Sequence, residues 1–284
     1  MSTEQAACPP TAGKTMLLAD LGSGRRRYQL PVALGCNLAV GLILLFLVVP
    51  TLIVAALSFG NASHMEFPLH GLSLRWYEAY FNDPAWMAAT VFSLKIAVAT
   101  TFASTLAGTL AAIGLVRGRL PGLAIIEALV LGPLIIPHIV LGVALYLVFA
   151  PIHLTGNFAG FLIAHTVLAV PYVVINVSAA LQRFDFALER AALSCGANRA
   201  QAFIHVVLPN ILPAVVASAG FAFLSSFDEA TVAFFLSDVG GKTVTSKMFE
   251  DIDFNLTPVI AAISTMLMGV SFLLMGLIHQ VRRR

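Results

Sequence analysis

Residues 182–210 read QRFDFALERAALSCGANRAQAFIHVVLPN, and the fold turns on what this polar stretch interrupts. Both of its ends are helix-forming, with Gly196-Ala197-Asn198 between them. Gly196 is suited to end the first helix, because glycine enters the left-handed backbone region that a Cβ resists. Leu208-Pro209 then opens the next element, since proline is well tolerated at the first turn of a helix. The stretch therefore predicts a helix, a turn and a second helix standing out from whatever flanks it. A passive connector does not need such length.

On both sides the flanks are apolar. A bilayer core about 30 Å thick takes about 20 helical residues, because lipid offers no partner to a free backbone N–H or C=O. Runs of that length and hydropathy lie at about 32–58, 88–116, 122–150, 158–181, 211–236 and 256–279. They predict an all-α polytopic membrane protein with six transmembrane helices, in which 182–210 is the longest inner loop. The whole chain agrees: of its 284 residues 59% are apolar and 11% charged, with a mean hydropathy of +0.91, against about 25% charged in a soluble domain. A soluble enzyme is excluded. A net charge of +2 is too small to favour nucleic acid. Cys8, Cys36 and Cys195 are too few and too scattered for a disulfide framework or a metal site.

Residues 1–30, rich in Ala, Gly, Pro and Thr and ending in Arg25-Arg26-Arg27, read as a flexible cytoplasmic tail ahead of a six-span domain at 31–284. Orientation follows from the cations, since loops rich in Lys and Arg stay inside. Lys14, Arg25, Arg26, Arg27, Arg117, Arg119, Arg183, Arg190, Arg199, Arg282, Arg283 and Arg284 fall on one side, twelve of the sixteen. Arg75, Lys242 and Lys247 fall on the other, with Lys95 inside the second span. Both termini are thus expected in the cytoplasm. The outer face carries Glu66, Glu78, Asp83, Asp238, Glu250, Asp251 and Asp253, an acidic excess that suits a cationic cargo. Its loop at about 59–87 holds Leu74, Trp76, Tyr77, Tyr80, Phe81 and Trp86, an aromatic cluster expected to lie on the membrane surface.

Gly240-Gly241-Lys242-Thr243 resembles the end of a phosphate-binding loop, which needs a further glycine five positions before its second one. That position is Leu236, and the segment follows a span rather than a strand. No nucleotide site is expected, and no hydrolytic motif such as His-Glu-x-x-His or Gly-x-Ser-x-Gly is present.

The inner loop resembles the signature of the permease subunits of binding-protein-dependent ABC importers: Glu-Ala-Ala, three residues, Gly, nine residues, Ile, one residue, Leu-Pro. Ala191-Ala192, Gly196, Val206 and Leu208-Pro209 keep that spacing. Two positions depart from it. Arg190 stands where the motif has glutamate, with Glu189 one place earlier, and Val206 replaces the isoleucine. One helical residue is about 100° of rotation, so Glu189 need not do the family glutamate's work. Over about 32–279 the chain is similar, more narrowly, to the second permease of spermidine/putrescine-type systems. That likeness rests on Ala164-His165-Thr166-Val167-Leu168-Ala169-Val170-Pro171-Tyr172, on Ser226-Phe227-Asp228-Glu229 and on Thr257-Pro258-Val259-Ile260-Ala261-Ala262. The resemblance implies the permease fold of a type I ABC importer in a bacterial inner membrane. It implies ABC ATPase subunits coupled through Glu189, Arg190, Ala191, Ala192, Gly196, Val206, Leu208 and Pro209. A second permease subunit, an extracytoplasmic solute-binding protein and a small-molecule substrate follow from it, with no cofactor and no catalytic residue in this chain.

Charge inside the bilayer is costly, at about 2.5 to 3.5 kcal/mol per group on insertion scales, and so tends to line a cavity or find a partner. Asp228 and Glu229 fall in the outer half of the fifth span. They are candidates to guide a cationic solute such as a polyamine, or else a structural pair bonded to a neighbour such as Lys95. Tyr146, His165 and Asn176 are candidate pathway residues or, equally, hydrogen-bond donors between spans. Pro133, Pro137 and Pro171 interrupt apolar runs and are expected to shape the pathway. Other cargoes, an opine or an amino-acid derivative, fit the same pattern. An ion-driven secondary transporter is the rival mechanism, although the inverted repeats it requires are not visible.

Overall fold

The computed structural model of the chain describes residues 14–69, 71–118, 121–254 and 257–283, with side-chain surroundings described from Cys36 onward. It divides into two compact units, Met1–Val54 and Ala55–Arg284. In the first, helix α1 (Lys14–Leu57) runs for 44 residues and continues past the unit boundary. Residues 14–30, which the composition assigns to a tail, are helical within it, and residues 1–13 lie outside the described residues. Its Cys36–Leu57 portion is long and apolar enough to cross a membrane.

The second unit begins with a short helix, α2 (Arg75–Asn82), and a long one, α3 (Pro84–Arg117). Asp83 separates them and its carboxylate accepts from the N–H groups of Ala85 (2.7 Å) and Trp86 (3.4 Å), with Pro84 as the first residue of α3. That is the combination expected of a helix start. Of the aromatic loop expected on the membrane surface, Tyr80 and Trp86 are buried against Val244, Val259 and Ile263, with the Tyr80 and Thr90 hydroxyls 2.7 Å apart, while Leu74 and Phe81 stand exposed. Lys247 Nζ sits 4.5 Å above the Trp86 ring.

The third apolar run is two helices, α4 (Leu123–Ile135) and α5 (His138–Phe149), bent by 106°. Pro137 is the cause. The residue before a proline is pushed out of the helical region, and Ile136 accordingly has ψ 129°. The two other prolines picked out from sequence behave differently, Pro133 and Pro171 both lying inside continuous helices.

The fourth span is α6 (Phe158–Arg183), capped by Asn157, whose side chain accepts from the Ala159 N–H at 3.0 Å. Then come α7 (Phe186–Ser194) and α8 (Arg199–Ala202). A π-helical turn, Phe203–Val207, joins α8 to α9 (Leu208–Phe227), so that Arg199–Phe227 forms a single 29-residue span. The second helix expected in the inner loop is thus the start of the fifth span rather than a separate piece. That span ends at Phe227, nine residues earlier than its apolar run suggests, and the chain resumes as α10 (Thr231–Leu236). Helices α11 (Val244–Phe254) and α12 (Val259–Arg283) complete the unit. Among the described residues there are five helices able to span a bilayer, or six if the bent α4–α5 pair counts as one, and no strand.

Helices α3, α6 and α9 form the core, around Ala112, Ala169, Val173, Val177, Ile211 and Ala222. Lipid removes the hydrophobic drive that packs helices in water, so close contact through small residues has to replace it. Gly108 provides the closest approach: a Cβ there would lie 2.6 Å from Val173 Cβ.

Candidate functional site

Two regions carry the residues singled out by sequence, one near the C-terminal end of α3 and one at the break between α9 and α10. At the first, Asp185 caps α7 by accepting from the Ala187 N–H at 2.8 Å. The C-terminus closes with two bonds, Gly196 N–H to Leu193 O and Ala197 N–H to Ala192 O, both 3.1 Å. This is the double closure that requires a left-handed residue after the last helical turn, and Gly196 has φ +92°. Asn198 and Gln201 then cap each other reciprocally at 2.9 Å and 2.9 Å, starting α8. In the π turn the Leu208 N–H reaches back to Phe203 O. One residue on, Pro209 has no N–H to offer the ladder.

Glu189 is turned toward the end of α3. Its carboxylate accepts from Arg117 Nη1 at 3.2 Å and lies 3.1 Å from Nη2, fixing α7 against the end of α3. Arg117 Cζ also lies 5.3 Å from the centre of the Phe186 ring. Arg190 and Ala191 are exposed and Ala192 is half-buried, while the apolar Phe186, Leu188, Leu193 and Ile204 stand open. Val206 and Leu208 have a different setting, packing onto the core cluster of Val207 and Ile211. Pro209 is exposed.

The second region is a run of three adjoining cavities. One of about 530 Å³ is lined by Asn176, Arg183, Asp185, Asn210 and Phe221. Phe221 is shared with a cavity of about 420 Å³ that also meets Tyr172, Leu224, Ser225, Asp228 and Glu229. Asp228 and Ser271 are shared in turn with another of about 420 Å³, reaching Thr245, Phe249 and Ser264. On α9, Phe221, Leu224 and Asp228 fall three and four residues apart, which puts them on one helix face.

The two acidic neighbours have opposite fates. Asp228 is exposed to the cavities, and its carboxylate has no hydrogen-bond or ion-pair partner among the described residues. Glu229 is only 8% exposed. One of its oxygens accepts from the Val232 N–H at 2.9 Å, capping α10, and the other lies 3.3 Å from His138 Nδ1 at the start of α5. Its carbonyl accepts from the Thr245 hydroxyl at 2.8 Å. The partner is therefore His138, not Lys95, which is exposed.

The remaining candidates are dispersed. Asn176 lines the first cavity and donates to Tyr172 O at 2.8 Å. His165 is buried, with Nδ1 2.9 Å from Ser226 Oγ. Tyr146 is exposed on α5 and lines none of the three cavities. Sequence reasoning passed over His138 and Arg117. A histidine directly after a proline in an apolar run, and an arginine ending a long span, were the available signals.

The Gly240-Gly241-Lys242-Thr243 segment forms a tight turn bridged between Asp238 and Gly241. A Cβ on Gly241 would lie 2.8 Å from Gly156 O and 2.9 Å from the Phe92 ring. Close packing explains that glycine, and Lys242 pairs with Glu250 at 2.7 Å.

Comparison with known proteins gives a consistent picture. Residues 104–284 match the family model for the binding-protein-dependent transport system inner membrane component. The putrescine transport system permease protein PotI of Escherichia coli strain K12 is 33% identical over 231 residues, 79% of this chain and 82% of PotI. The spermidine/putrescine transport system permease protein PotC of Haemophilus influenzae is 28% identical over 239 residues, 84% of this chain and 93% of PotC. Among solved structures, a bacterial ABC transporter involved in import of the acidic polysaccharide alginate shares the fold, with a TM-score of 0.67 at 14% identity, covering 96% of this chain and 99% of that one.

Proposed function

Because the chain belongs to the family of binding-protein-dependent transport system inner membrane components, we propose that its cavity run forms half of an import pathway for a small organic cation of the polyamine class. The chain is a transmembrane permease subunit of an ABC importer, not an enzyme, and ATP is hydrolysed on separate subunits. It works with those ATPases, a second permease and an extracytoplasmic solute-binding protein, and the ion-driven alternative falls with that assignment.

Asp228 is the observation that carries the cargo reading. An unpaired carboxylate beside apolar and aromatic walls is a costly arrangement, and a mobile ammonium group passing it offsets that cost. Tyr172, Phe221 and Leu224 supply surfaces for a methylene chain, and Ser225 and Ser271 supply hydroxyls. Uptake of labelled putrescine into vesicles containing the assembled complex, against labelled sulfate as the anionic control, tests the reading. Putrescine uptake that requires ATP and the loaded binding protein is expected; sulfate uptake instead would overturn it.

Helix α7 is the part of the chain that meets the ATPase. Its exposed Phe186, Leu188 and Leu193 form an apolar knob beside small Ala191 and Ala192, the form of a helix that seats in a groove. A charge placed there by Ala192→Glu is expected to leave the complex assembled and abolish stimulation of ATP hydrolysis by the loaded binding protein. In this arrangement α7 and both termini face the cytoplasm. With Cys195 retained as the sole cysteine, a membrane-impermeant thiol reagent is expected to label the protein only after the cells are opened.

A further inference from the structure

Glu229 sits next to Asp228, whose carboxylate faces the cavities without a partner among the described residues, yet its own carboxylate is turned to partners within the protein. It is held from three directions: the Val232 N–H of α10, His138 at the head of α5, and, through its carbonyl, Thr245 of α11. These are the two places where apolar runs are broken. The α4–α5 run is bent at Pro137, one residue before His138, and the α9–α10 run is interrupted at Asp228 to Ala230. The His138–Glu229 contact ties one break to the other.

We propose that His138 and Glu229 are positioning residues, a clamp that joins the two broken spans and thereby holds Asp228 toward the cavities. The proposal rests on the reading of Asp228 as the cargo-facing group, but it assigns the second carboxylate a different task. Glu229 does not bind cargo. One of its oxygens faces His138 and the other caps α10, whereas the Asp228 carboxylate is bonded to nothing among the described residues. A break in a helix leaves backbone N–H and C=O groups that must be satisfied inside the protein at membrane depth. The Glu229 cap and the Thr245 hydroxyl do this for the α9–α10 break, so its geometry depends on a side chain that α5 holds in place. Movement of α5 against α9 during the transport cycle would then be felt at Asp228.

The chemistry separates positioning from cargo binding. Glu229→Gln keeps an oxygen for the Val232 N–H and an amide N–H for His138 Nδ1, but loses the charge. Glu229→Ala loses both. In reconstituted complex the clamp predicts that Glu229→Gln retains most uptake, that Glu229→Ala and His138→Ala each lose it, and that the double variant is no worse than the poorer single one, since partners in one network are non-additive. A cargo ligand predicts instead that Glu229→Gln is as poor as Glu229→Ala, with His138→Ala adding an independent loss, and this result overturns the clamp.

A second readout needs no cargo. With Cys8, Cys36 and Cys195 removed, Ser225→Cys places a thiol in the cavity that Asp228 lines. His138→Ala and Glu229→Ala are each expected to change its rate of alkylation about threefold or more, the scale of a coupled contact. Equal rates in all variants sink the clamp whatever the cargo proves to be. Failure of wild-type putrescine uptake with altered alkylation would sink only the cargo assignment.

Discussion

The α7 turn and the α9–α10 break are both interruptions in helical chain, and they are closed by bonds of opposite reach. Around α7 the caps come from within five residues: Asp185 to Ala187, Ala197 to Ala192, Asn198 to Gln201. At the break, Glu229 reaches His138 and Thr245 reaches Glu229, while nearby the Val244 N–H donates to Ser93 of α3. A locally closed turn keeps its shape when it is moved as a piece. A turn closed by distant helices changes when those helices shift. The first property suits a lever that meets a partner, and the second suits a site whose geometry has to alter during transport.

The largest effect is expected where both regions depend on the same packing. Gly108 lets α3 approach α6, and any Cβ there meets Val173 at 2.6 Å. Gly108→Val is expected to destabilise the protein by about 1–3 kcal/mol through overpacking, read as a lower melting temperature in detergent and a smaller yield of assembled complex. A variant that melts with the wild type would mean that the α3–α6 core is looser than the contact implies, and that the break is not held by distant packing.

Next in size is the one long-range contact that α7 makes through charge. The Arg117 and Glu189 side chains are 23% and 19% exposed, so the pair lies between a surface bridge worth under about 1 kcal/mol and a buried one whose rupture costs about 3–5. Glu189→Ala is expected to cost about 2 kcal/mol at this contact and to weaken stimulation of ATP hydrolysis by loaded binding protein. Exchanging the charges with Arg117→Glu and Glu189→Arg together should restore much of it. No loss in either single variant would leave α7 wholly self-contained, sharpening the contrast between the two regions.

A smaller effect is expected at the cavity itself. Asp228→Asn keeps size and removes charge, and should lower maximal uptake about tenfold, equivalent to about 1.4 kcal/mol. The concentration of loaded binding protein giving half-maximal rate should change little, because capture occurs on another protein. Normal uptake by an assembled Asp228→Asn complex would remove the cargo argument and leave the break as architecture alone.

The same contrast explains what was legible in the sequence. The apolar runs at about 88–116, 158–181 and 256–279 and the Gly196 turn are encoded within a few residues, and each is where its pattern places it. The early end of the fifth span was not legible, because Asp228 and Glu229 are followed by Thr231-Val232-Ala233-Phe234-Phe235-Leu236, which continues the hydropathy of the helix before it. The Glu229 cap on the Val232 N–H, together with His138 and Thr245 brought in by the fold, satisfies that interruption. The 106° bend was half legible: Pro133, Pro137 and Pro171 looked alike as helix breakers, but only Pro137 breaks its helix. The role of Glu189 was hidden for a related reason, since its partner Arg117 lies on α3, and nothing near either residue announces the other.

The smallest expected effect tests the local half of the comparison at Gly196. A Cβ there meets no atom within 4 Å, so substitution brings no clash, and the only cost is the backbone conformation at φ +92°. For L residues that region costs about 1–2 kcal/mol, less for asparagine. Gly196→Ala should therefore open the end of α7 by about 1 kcal/mol, or roughly fivefold faster hydrogen exchange at the Gly196 and Ala197 amides that close the turn. Gly196→Asn should fall between Ala and the wild type, and a β-branched Val should exceed Ala. The order Asn, Ala, Val is the signature of backbone strain, because a packing cost would rank the three by volume and place Ala as the mildest. If Ala proves mildest, or if exchange at the His138 end of α5 moves together with α7, the turn is not locally closed and the two regions are one cooperative structure.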